Sequence, residues 1–530
     1  MQGSARKSGL PKKQSSFLTI LLNTASVLVC IWVLFLLYCY RSGMLHTHNS
    51  RVDNVVAYVG KAFNATEEAI RVGESNLRRD MHAPIDGNAL PPKAVNPPGS
   101  YDAMKAAANA KASVTTTTTH DHFTTSTTAA IPPQQVTGKR DKDEVHTVFS
   151  TDCTPYQDWQ TIVLFHSATV VKQKGPITRI ASGCNEEKQK TLTELYNKLY
   201  PQYHVHFTPD FKKDASTGRK YDFYNKPWGM LHWLQHANPP LPDDMVVALL
   251  DPDMVFLRPI TTKIAGVSSN IFAKRVDKKE IVERVVEGHP TAQLYGLGAP
   301  WTRDDHPKFG RARICGENSP CLEPKEFFAA RHYSVGPPYI VHRKDMIRIV
   351  KTWTEFVPRV YEKYPYLLAE MYAYSMAAAH ENLPHLQFEN HMVSNVDVHP
   401  GEGWPHVDKL YDVCLPPNEE GIYFSNETLP TVMHFCQFYR AGPLGFQKRR
   451  LPRDIFNCDK PLLLEPPSDL GFKTWAYKKG ERIDMQARKL KRNAFAICIM
   501  HRSINAALID FKQRVCAGQP TNFTKSHQVA

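Results

Sequence analysis

The sequence lacks the features of several common metal, redox and nucleic acid sites. No C-x-x-C pair occurs among its 11 cysteines, which argues against zinc-ribbon and thioredoxin-type chemistry. The chain has a formal net charge of +13, but it lacks basic patches interleaved with aromatic residues. Its lysines and arginines are spread over the N-terminal tail, the middle and the C-terminal region. No nucleic acid partner is therefore expected.

Charge is absent from residues 17–40, FLTILLNTASVLVCIWVLFLLYCY. As a helix, this run is long enough to span about 30 Å of hydrocarbon. Acidic residues are absent from residues 1–16, which carry four lysines and arginines. The positive-inside rule then predicts a cytosolic tail, a single-span type II signal anchor and a lumenal remainder. A cleaved signal peptide is the alternative, but its apolar core would be only about 7–15 residues long.

Residues 41–145 lack the apolar side chains from which a core is built. They contain PPKAVNPPGS and TTTTTHDHFTTSTTAAIPPQQ, and such Thr/Pro-rich composition is typical of a disordered, O-glycosylated stem. A lumenal location agrees with three N-x-S/T sequons. These begin at Asn64, Asn426 and Asn522.

An oxidising lumen would allow disulfides among the nine cysteines that follow the apolar span. Because nine is odd, at least one cysteine is free or bonded to a second chain. A homodimer through the stem or through that free cysteine is one consequence. Cys315 and Cys321 bracket CGENSPC and are predicted to form a local pair, while the other pairings stay open.

From His146 onward the pattern predicts alternating strands and helices. HTVFS, PITRIAS and HVHFTP are predicted strands, and residues 159–171, 188–199 and 225–236 are predicted helices. MVVALL is an apolar, β-branched run typical of a strand buried on both faces of a parallel sheet. This alternation predicts an α/β domain with a central, mainly parallel sheet.

Two D-x-D triplets occur in very different surroundings. Asp251 and Asp253 follow MVVALL directly, whereas Asp141 and Asp143 lie in the polar run GKRDKDE. In open α/β sheets, ligands bind beyond the carboxyl ends of the strands. We therefore interpret Asp251 and Asp253 as candidate ligands of a divalent cation, with helix capping or a salt bridge to Arg258 as the structural alternative. The first triplet is interpreted as solvated charge.

The sequence motifs around Asp251 resemble those of the peptidyl serine α-galactosyltransferases and the related hydroxyproline O-arabinosyltransferases, which are Golgi type II enzymes. The matching stretches lie in the family's order. They are YQDWQT (156–161), GPITRI (175–180), NKPWGMLHWLQH (225–236), LLDPDM (249–254), AEMYAYSMAAA (369–379), VMHF (432–435) and CDKPLLLEPP (458–467). The resemblance implies a GT-A-like nucleotide-sugar transferase domain at residues 146–467.

The match fades beyond about residue 468, and residues 468–530 are predicted to form a C-terminal helical extension. Apolar residues and one histidine there recur at steps of four and three, which predicts an amphipathic helix. They are Leu490, Ala494, Ile497, His501, Ile504, Leu508, Phe511 and Val515. The helix is expected to pack against the preceding domain, with a membrane-surface role as second choice.

The resemblance also implies a metal site. Asp251 and Asp253 match the family's acidic motif, and His434 in LPTVMHFC falls where GT-A enzymes supply a third ligand from a late strand. Such a mixed oxygen and nitrogen site suits Mn²⁺, with Mg²⁺ as the alternative. Without the motif, a lone histidine after an apolar run would be read as a packed core residue.

Further residues are candidates for binding the donor and for catalysis. Arg179, Asn225, Lys226 and Asp251 are the predicted donor contacts. Arg179 and Lys226 are candidates because cations stabilise a departing diphosphate, and Asp251 is expected to contact the metal or the donor ribose. Glu370 is the predicted catalytic residue, positioning the acceptor hydroxyl or accepting its proton. The alternatives are solvated surface charges for Arg179 and Lys226, and stabilisation of a helix N-terminus for Glu370.

The expected function is transfer of galactose or arabinose from a UDP-sugar to a serine or hydroxyproline hydroxyl of Ser/Hyp-rich secreted proteins, in the Golgi or the ER. One alternative is a non-catalytic lumenal sugar-binding or scaffold protein of the same fold. The other is a transferase acting on glycans or lipids. The sequence leaves the donor sugar, the acceptor and the stereochemistry open.

Overall fold

The computed structural model describes residues 141–529 except 216, 265–278, 280, 304–308, 399–400, 419 and 422–428. The predicted tail, span and stem lie outside the described residues, apart from the last few residues of the stem, and so do Asn64 and Asn426. The predicted division of the chain into segments stays a prediction.

The described chain alternates strands and helices, as the pattern predicts. The strands are β1 His146–Asp152, β2 Ile177–Ser182, β3 His204–Thr208, β4 Val246–Leu250, β5 Met254–Phe256, β6 Thr291–Leu294, β7 Val335–His342, β8 Leu386–Phe388, β9 Met392–Val393, β10 Val432–His434, β11 Tyr439–Ala441, β12 Leu444–Phe446, β13 Leu462–Leu463, β14 Trp475–Lys478, β15 Glu481–Asp484 and β16 Lys525–His527. The α-helices are α1 Pro155–Val170, α2 Glu186–Leu199, α3 Asn225–His236, α4 Arg311–Cys315, α5 Glu326–His332, α6 Arg343–Lys363, α7 Ala369–His380, α8 Trp404–Asp408 and α9 Ala487–Val515.

A seven-stranded sheet with the order β3-β2-β1-β4-β7-β6-β8 forms the centre of the fold. The pairs β3–β2, β2–β1, β1–β4 and β6–β8 are parallel. The pairs β4–β7 and β7–β6 are antiparallel. The predicted α/β domain with a mainly parallel central sheet is therefore confirmed.

Strand β4 is buried on both faces, as its unbroken apolar run predicts. Val246, Ala248 and Leu250 join one core cluster, and Val247 and Leu249 join the other. Because side chains alternate along a strand, the two clusters lie on opposite faces of the sheet. Only apolar side chains fit such a position without a polar partner.

The C-terminal helix α9 belongs to the core of the same fold. Its Leu490, Ile497 and Leu508 are fully buried in the cluster that contains Phe149 and Trp159. Within the described ranges, α9 is the one helix long and apolar enough to cross a membrane, and most of its apolar stretch is buried in the protein. Its predicted packing against the preceding domain is confirmed.

Four disulfides tie loops and helices together. They are Cys153–Cys184, Cys315–Cys321, Cys414–Cys498 and Cys458–Cys516. The predicted local pair is confirmed, and two of the other bonds attach α9. Cys436 is the free cysteine of the described part of the chain, so the predicted odd cysteine is also confirmed.

The first D-x-D triplet lies just before β1. Asp141 is exposed and pairs with Lys174 at 2.6 Å, which agrees with its interpretation as solvated charge. Asp143 is half-buried and forms an ion pair with Arg284. The interpretation is wrong for Asp143, because its partner comes from a segment far along the chain whose approach a local pattern does not reveal.

Candidate functional site

Asp251 and Asp253 connect two sheets. Strand β4 ends at Leu250, and β5 begins at Met254 in a three-stranded sheet with the order β5-β10-β9. Asp253 is 6% exposed, and Asp251 is half-buried. The triplet therefore lies at the carboxyl edge of the central sheet, where the sequence places it.

His434 is brought to the same point by strand pairing. In the antiparallel pair of β10 and β5, His434 is opposite Met254, and the Phe435 amide donates to the Asp253 carbonyl at 3.0 Å. His434 Nε2 lies 3.2 Å from Asp253 Oδ2. One ligand atom each of Asp251, Asp253 and His434 lies within 4.8 Å of the others. The three predicted metal ligands converge, and the cluster is compatible with a divalent cation.

Lys448 completes this side of the cluster, and sequence reasoning missed it. Its ammonium forms an ion pair with Asp253, from a short 3₁₀ turn that follows β12. Burial opposes the charge of Asp253, but His434 and Lys448 hold its pKa well below the usual range. Burial likewise opposes the imidazolium of His434, but Asp253 raises the pKa of His434 well above its ordinary value. The basic run KRR after a short hairpin was the one sequence signal for this residue.

Lys226 links Asp251 to Glu370. Its Nζ lies 2.7 Å from Asp251 Oδ1 and 3.2 Å from Glu370 Oε1. Burial opposes the ammonium charge, but the two carboxylates raise the pKa of Lys226 above its ordinary value. Each aspartate therefore forms an ion pair with a lysine, Asp251 with Lys226 and Asp253 with Lys448. The predicted alternative partner, Arg258, donates through Nε to the Leu429 carbonyl at 2.5 Å.

Glu370 lies at the start of α7 and is 5% exposed. Its amide donates to the Tyr221 hydroxyl oxygen at 3.2 Å, and its carbonyl accepts from Trp353 Nε1 at 2.7 Å. Its Oε2 is buried and has no hydrogen-bond partner. Burial raises the pKa of Glu370, and Lys226 opposes that rise. An unpaired buried carboxylate oxygen is unusual in a folded protein, so this atom is a candidate acceptor for a ligand's proton or hydroxyl.

The N-terminus of α3 supplies Lys226 and Asn225. Asn225 Oδ1 accepts from the Phe211 amide at 2.7 Å, and its Nδ2 donates to Asp210 Oδ1 at 3.2 Å. The helix packs closely on the sheet at Gly229, where an added Cβ would lie 3.0 Å from Ile180 Cγ2. Asn225 thus holds the loop before the helix, and its predicted donor contact stays a prediction.

Arg179 lies in a separate buried network. Its guanidinium donates to Thr151 Oγ1 at 2.8 Å and to the Asp152 carbonyl at 2.9 Å. It also pairs with Asp158 at 2.9 Å and contacts the Tyr196 hydroxyl at 2.5 Å. Burial disfavours this cation, but Tyr196 and Asp158 raise the pKa of Arg179. All three of its nitrogens are engaged inside the protein, so the structure does not bring Arg179 into the cluster. Its donor contact remains a prediction.

Two curated relatives are similar to this chain in sequence. The Arabidopsis thaliana protein named "Peptidyl serine alpha-galactosyltransferase" is 28% identical over 336 residues, covering 61% of this chain and 34% of the relative. The Chlamydomonas reinhardtii protein of the same name is 26% identical over 302 residues, covering 52% and 35%. The chain thus spans about a third of the length of these relatives. The predicted relation to this family is confirmed, and the predicted glycosyltransferase class agrees with it. No family model matches the chain.

Solved structures with some likeness to the fold are also named as glycosyltransferases. They include the bifunctional glycosyltransferase WbbM, with a TM-score of 0.31 at 11% identity over 57% of this chain and 47% of that one. A complex of the galactosyltransferase LgtC with donor and acceptor sugar analogues has a TM-score of 0.29 at 12% identity, over 55% of this chain and 87% of that one. These scores are too low to carry any inference about the site.

Proposed function

We propose that this chain, a relative of the peptidyl serine α-galactosyltransferases, is a metal-assisted, GT-A-like glycosyltransferase that moves a sugar from UDP to a hydroxyl of a protein acceptor. The convergence of Asp251, Asp253 and His434 at the carboxyl edge of the sheet carries the proposal. Two lysines and one glutamate with an unpaired oxygen flank these residues. Metal ligands, cations and a proton acceptor are groups that a metal-assisted nucleotide-sugar transferase can use to stabilise the leaving diphosphate and to activate the acceptor.

Asp251, Asp253 and His434 would hold the divalent cation, and their oxygen and nitrogen donors suit Mn²⁺ or Mg²⁺. When bound, the cation neutralises the negative charge that develops on the departing diphosphate. His434 has to be neutral to act as a ligand. Its pairing with Asp253 favours the protonated form, so cation binding is expected to release a proton.

Lys226 and Lys448 provide positive charge on either side of the aspartates. Each is buried or partly buried and pairs with a carboxylate of the cluster. Cations in such partly water-excluded positions stabilise a departing diphosphate more strongly than solvated ones do. Lys448 is the more accessible candidate, because its side chain is 20% exposed, compared with 8% for Lys226. We assign contact with the diphosphate to Lys448 and fixation of Asp251 and Glu370 to Lys226.

Glu370 Oε2 is the group available to the acceptor. It is buried and unpaired, and burial raises the pKa of Glu370. A raised pKa makes a carboxylate a better proton acceptor at neutral pH. We therefore assign to Glu370 the alignment of the acceptor hydroxyl and the acceptance of its proton, with Lys226 holding the Glu370 carboxylate in place before the transfer.

The donor and the acceptor follow from the relatives. Their name states a serine acceptor and galactose, and the resemblance in sequence also includes hydroxyproline arabinosyltransferases. We propose UDP-galactose or UDP-arabinose as donor and a Ser- or hydroxyproline-rich secreted protein as acceptor. The lumen of the Golgi, or of the ER, is the proposed compartment. Support comes from the uncharged run at 17–40 and from the four disulfides, because disulfides persist in such oxidising compartments.

The direct test uses the full chain purified in detergent and a panel of UDP-sugars, with serine and hydroxyproline peptides. We expect donor-dependent glycosylation of one peptide class, loss of the reaction in EDTA, and recovery with Mn²⁺ or Mg²⁺. Binding of a UDP-sugar without hydrolysis or transfer would favour the scaffold alternative. Transfer only to glycans or lipids would contradict the peptide acceptor.

Topology is tested separately on sealed microsomes. We expect the sequon at Asn522, whose side chain is partly exposed, to carry a glycan that an endoglycosidase removes. The described domain should also resist added protease until detergent opens the membrane. Protease sensitivity of intact vesicles would contradict the lumenal location.

A further inference from the structure

Three histidines lie together at the edge of the central sheet and are not part of the cluster of Asp251, Asp253 and His434. His206 lies on the edge strand β3, and His232 and His236 lie on α3. His206 Nε2 is 2.8 Å from His232 Nδ1. The ring centroids of His206 and His232 are 5.1 Å apart, and those of His232 and His236 are 4.6 Å apart. Strand β3 and α3, the next α-helix along the chain, thus place three imidazoles side by side.

The three residues are placed so that their rings can reach one cation after rotation of a side chain. Residues four apart on a helix share one face, so His232 and His236 project from α3 in the same direction. His206 approaches them from the neighbouring strand. Among the described residues, the charged groups that shift the pKa values of His206 and His232 are neighbouring histidines and not carboxylates. The cluster is therefore built from imidazoles alone.

Imidazole binds metals in its neutral form. Burial and the neighbouring histidines lower the pKa of His206 to about 4, and burial lowers the pKa of His232. Both shifts favour the neutral ring. Neutral imidazole suits Zn²⁺, Cu²⁺ and Ni²⁺, whereas Mn²⁺ and Mg²⁺ prefer carboxylate, carbonyl and water oxygens.

We propose that His206, His232 and His236 form a second metal site, selective for a borderline-soft divalent cation of the Zn²⁺ class. Their ligand nitrogens do not all lie within 4.8 Å of one another. Binding therefore requires the exposed ring of His236 to turn toward the other two, and the hydrogen bond between His206 and His232 to give way to metal–nitrogen bonds. Three nitrogens leave a fourth tetrahedral position for water.

The site would join β3 to the C-terminal half of α3. The same helix begins at Asn225 and carries Lys226. A bound cation would therefore fix the helix that positions Lys226, without touching the aspartates. This role is independent of the glycosyltransferase proposal, because it concerns binding and stability rather than turnover.

The test measures Zn²⁺ binding by the full chain in detergent after removal of metals with a chelator. An Asp253→Asn background excludes Zn²⁺ bound at the aspartate cluster. We expect one equivalent of Zn²⁺ with micromolar affinity, a rise in thermal midpoint with Zn²⁺, and no comparable rise with Mn²⁺. Co²⁺ should give the visible absorption of a tetrahedral nitrogen site.

His232→Gln and His236→Gln should each weaken Zn²⁺ binding by at least tenfold. His236 is exposed, so its variant keeps the packing of the apo fold, which an unchanged metal-free thermal midpoint would verify. His289→Gln, at another exposed histidine, is the matched control and should bind like the parent. Equal binding by the parent and by His236→Gln, or binding only at millimolar Zn²⁺, would overturn the proposal.

Discussion

The two D-x-D triplets of this chain contain the same acids in different physical settings. Asp141 and Asp143 precede the sheet, where Asp141 is exposed and Asp143 is held by the guanidinium of Arg284. Asp251 and Asp253 follow a strand that is buried on both faces. Their partners are two lysines and a histidine.

This difference explains why only the second triplet forms a site. A half-exposed carboxylate paired with arginine is stabilised modestly and has no need of a ligand. Buried carboxylates that are held near one another repel each other and need compensation by cations. Lysine side chains can provide that compensation and still exchange partners when a cation binds. The comparison predicts large effects on activity at the second triplet and small effects on stability at the first.

The largest effect is expected for Asp253→Asn. The amide keeps the shape of the carboxylate but removes the charge that pairs with His434 and Lys448. Loss of one electrostatic contact of this kind lowers kcat by about 10²–10³-fold. Sugar transfer from the proposed donor to a peptide is the measurement, with Asp143→Asn as the matched control. A loss of less than about tenfold would contradict the assignment.

Lys226→Met is expected to destabilise the fold most. It leaves the buried carboxylate of Glu370 without its cation and removes the partner of Asp251. Breaking a buried ion pair in this way costs about 3–5 kcal/mol, and this range is an upper bound because Asp251 is half-buried. Equilibrium unfolding in urea measures it. Adding Glu370→Gln to Lys226→Met should restore part of the loss, and an additive double variant would show that the two residues do not interact.

Glu370→Gln alone should reduce peptide transfer by about 10²-fold, because the amide cannot accept the proton of the acceptor hydroxyl. The KM for the donor should change little, since the donor contacts are assigned to other residues. Steady-state kinetics with varied donor and varied peptide separate the effect on kcat for peptide transfer from an effect on the KM for the donor. A rise in the donor KM with unchanged kcat would indicate that Glu370 binds the donor instead.

The smallest effect is expected for Asp143→Asn. Its ion pair with Arg284 is partly exposed, so its loss should lower the free energy of unfolding by about 1 kcal/mol or less. The denaturation midpoint checks this, and Arg284→Met should give a similar value. Lost transferase activity in Asp143→Asn, with the fold intact, would remove the contrast between the two triplets.

Much of the fold could be predicted from local patterns. The helix at Asn225–His236 and the strand at Val246–Leu250 match their predicted positions within about one residue, because hydrophobic periodicity acts through nearest neighbours. Glu370 and Lys226 were identified from the sequence motifs that contain them. The local sequence did not predict their contact, because the two residues are 144 positions apart. Lys448 was missed, because the basic run KRR that contains it does not indicate which residue it reaches in the fold.

The sequence by itself determined the alternation of strands and helices, the buried strand that ends at Asp251, the local Cys315–Cys321 pair and the family relation. These features follow from hydrophobic periodicity, from the short spacing between the two cysteines and from sequence motifs shared with the family. Only the tertiary structure decided which charges meet. It enclosed Arg179 in a saturated network, brought His434 opposite Met254, and placed three histidines of two elements together. The physical reason is that ion pairs and metal sites depend on distances of a few ångströms between residues far apart in sequence, and chain folding sets those distances.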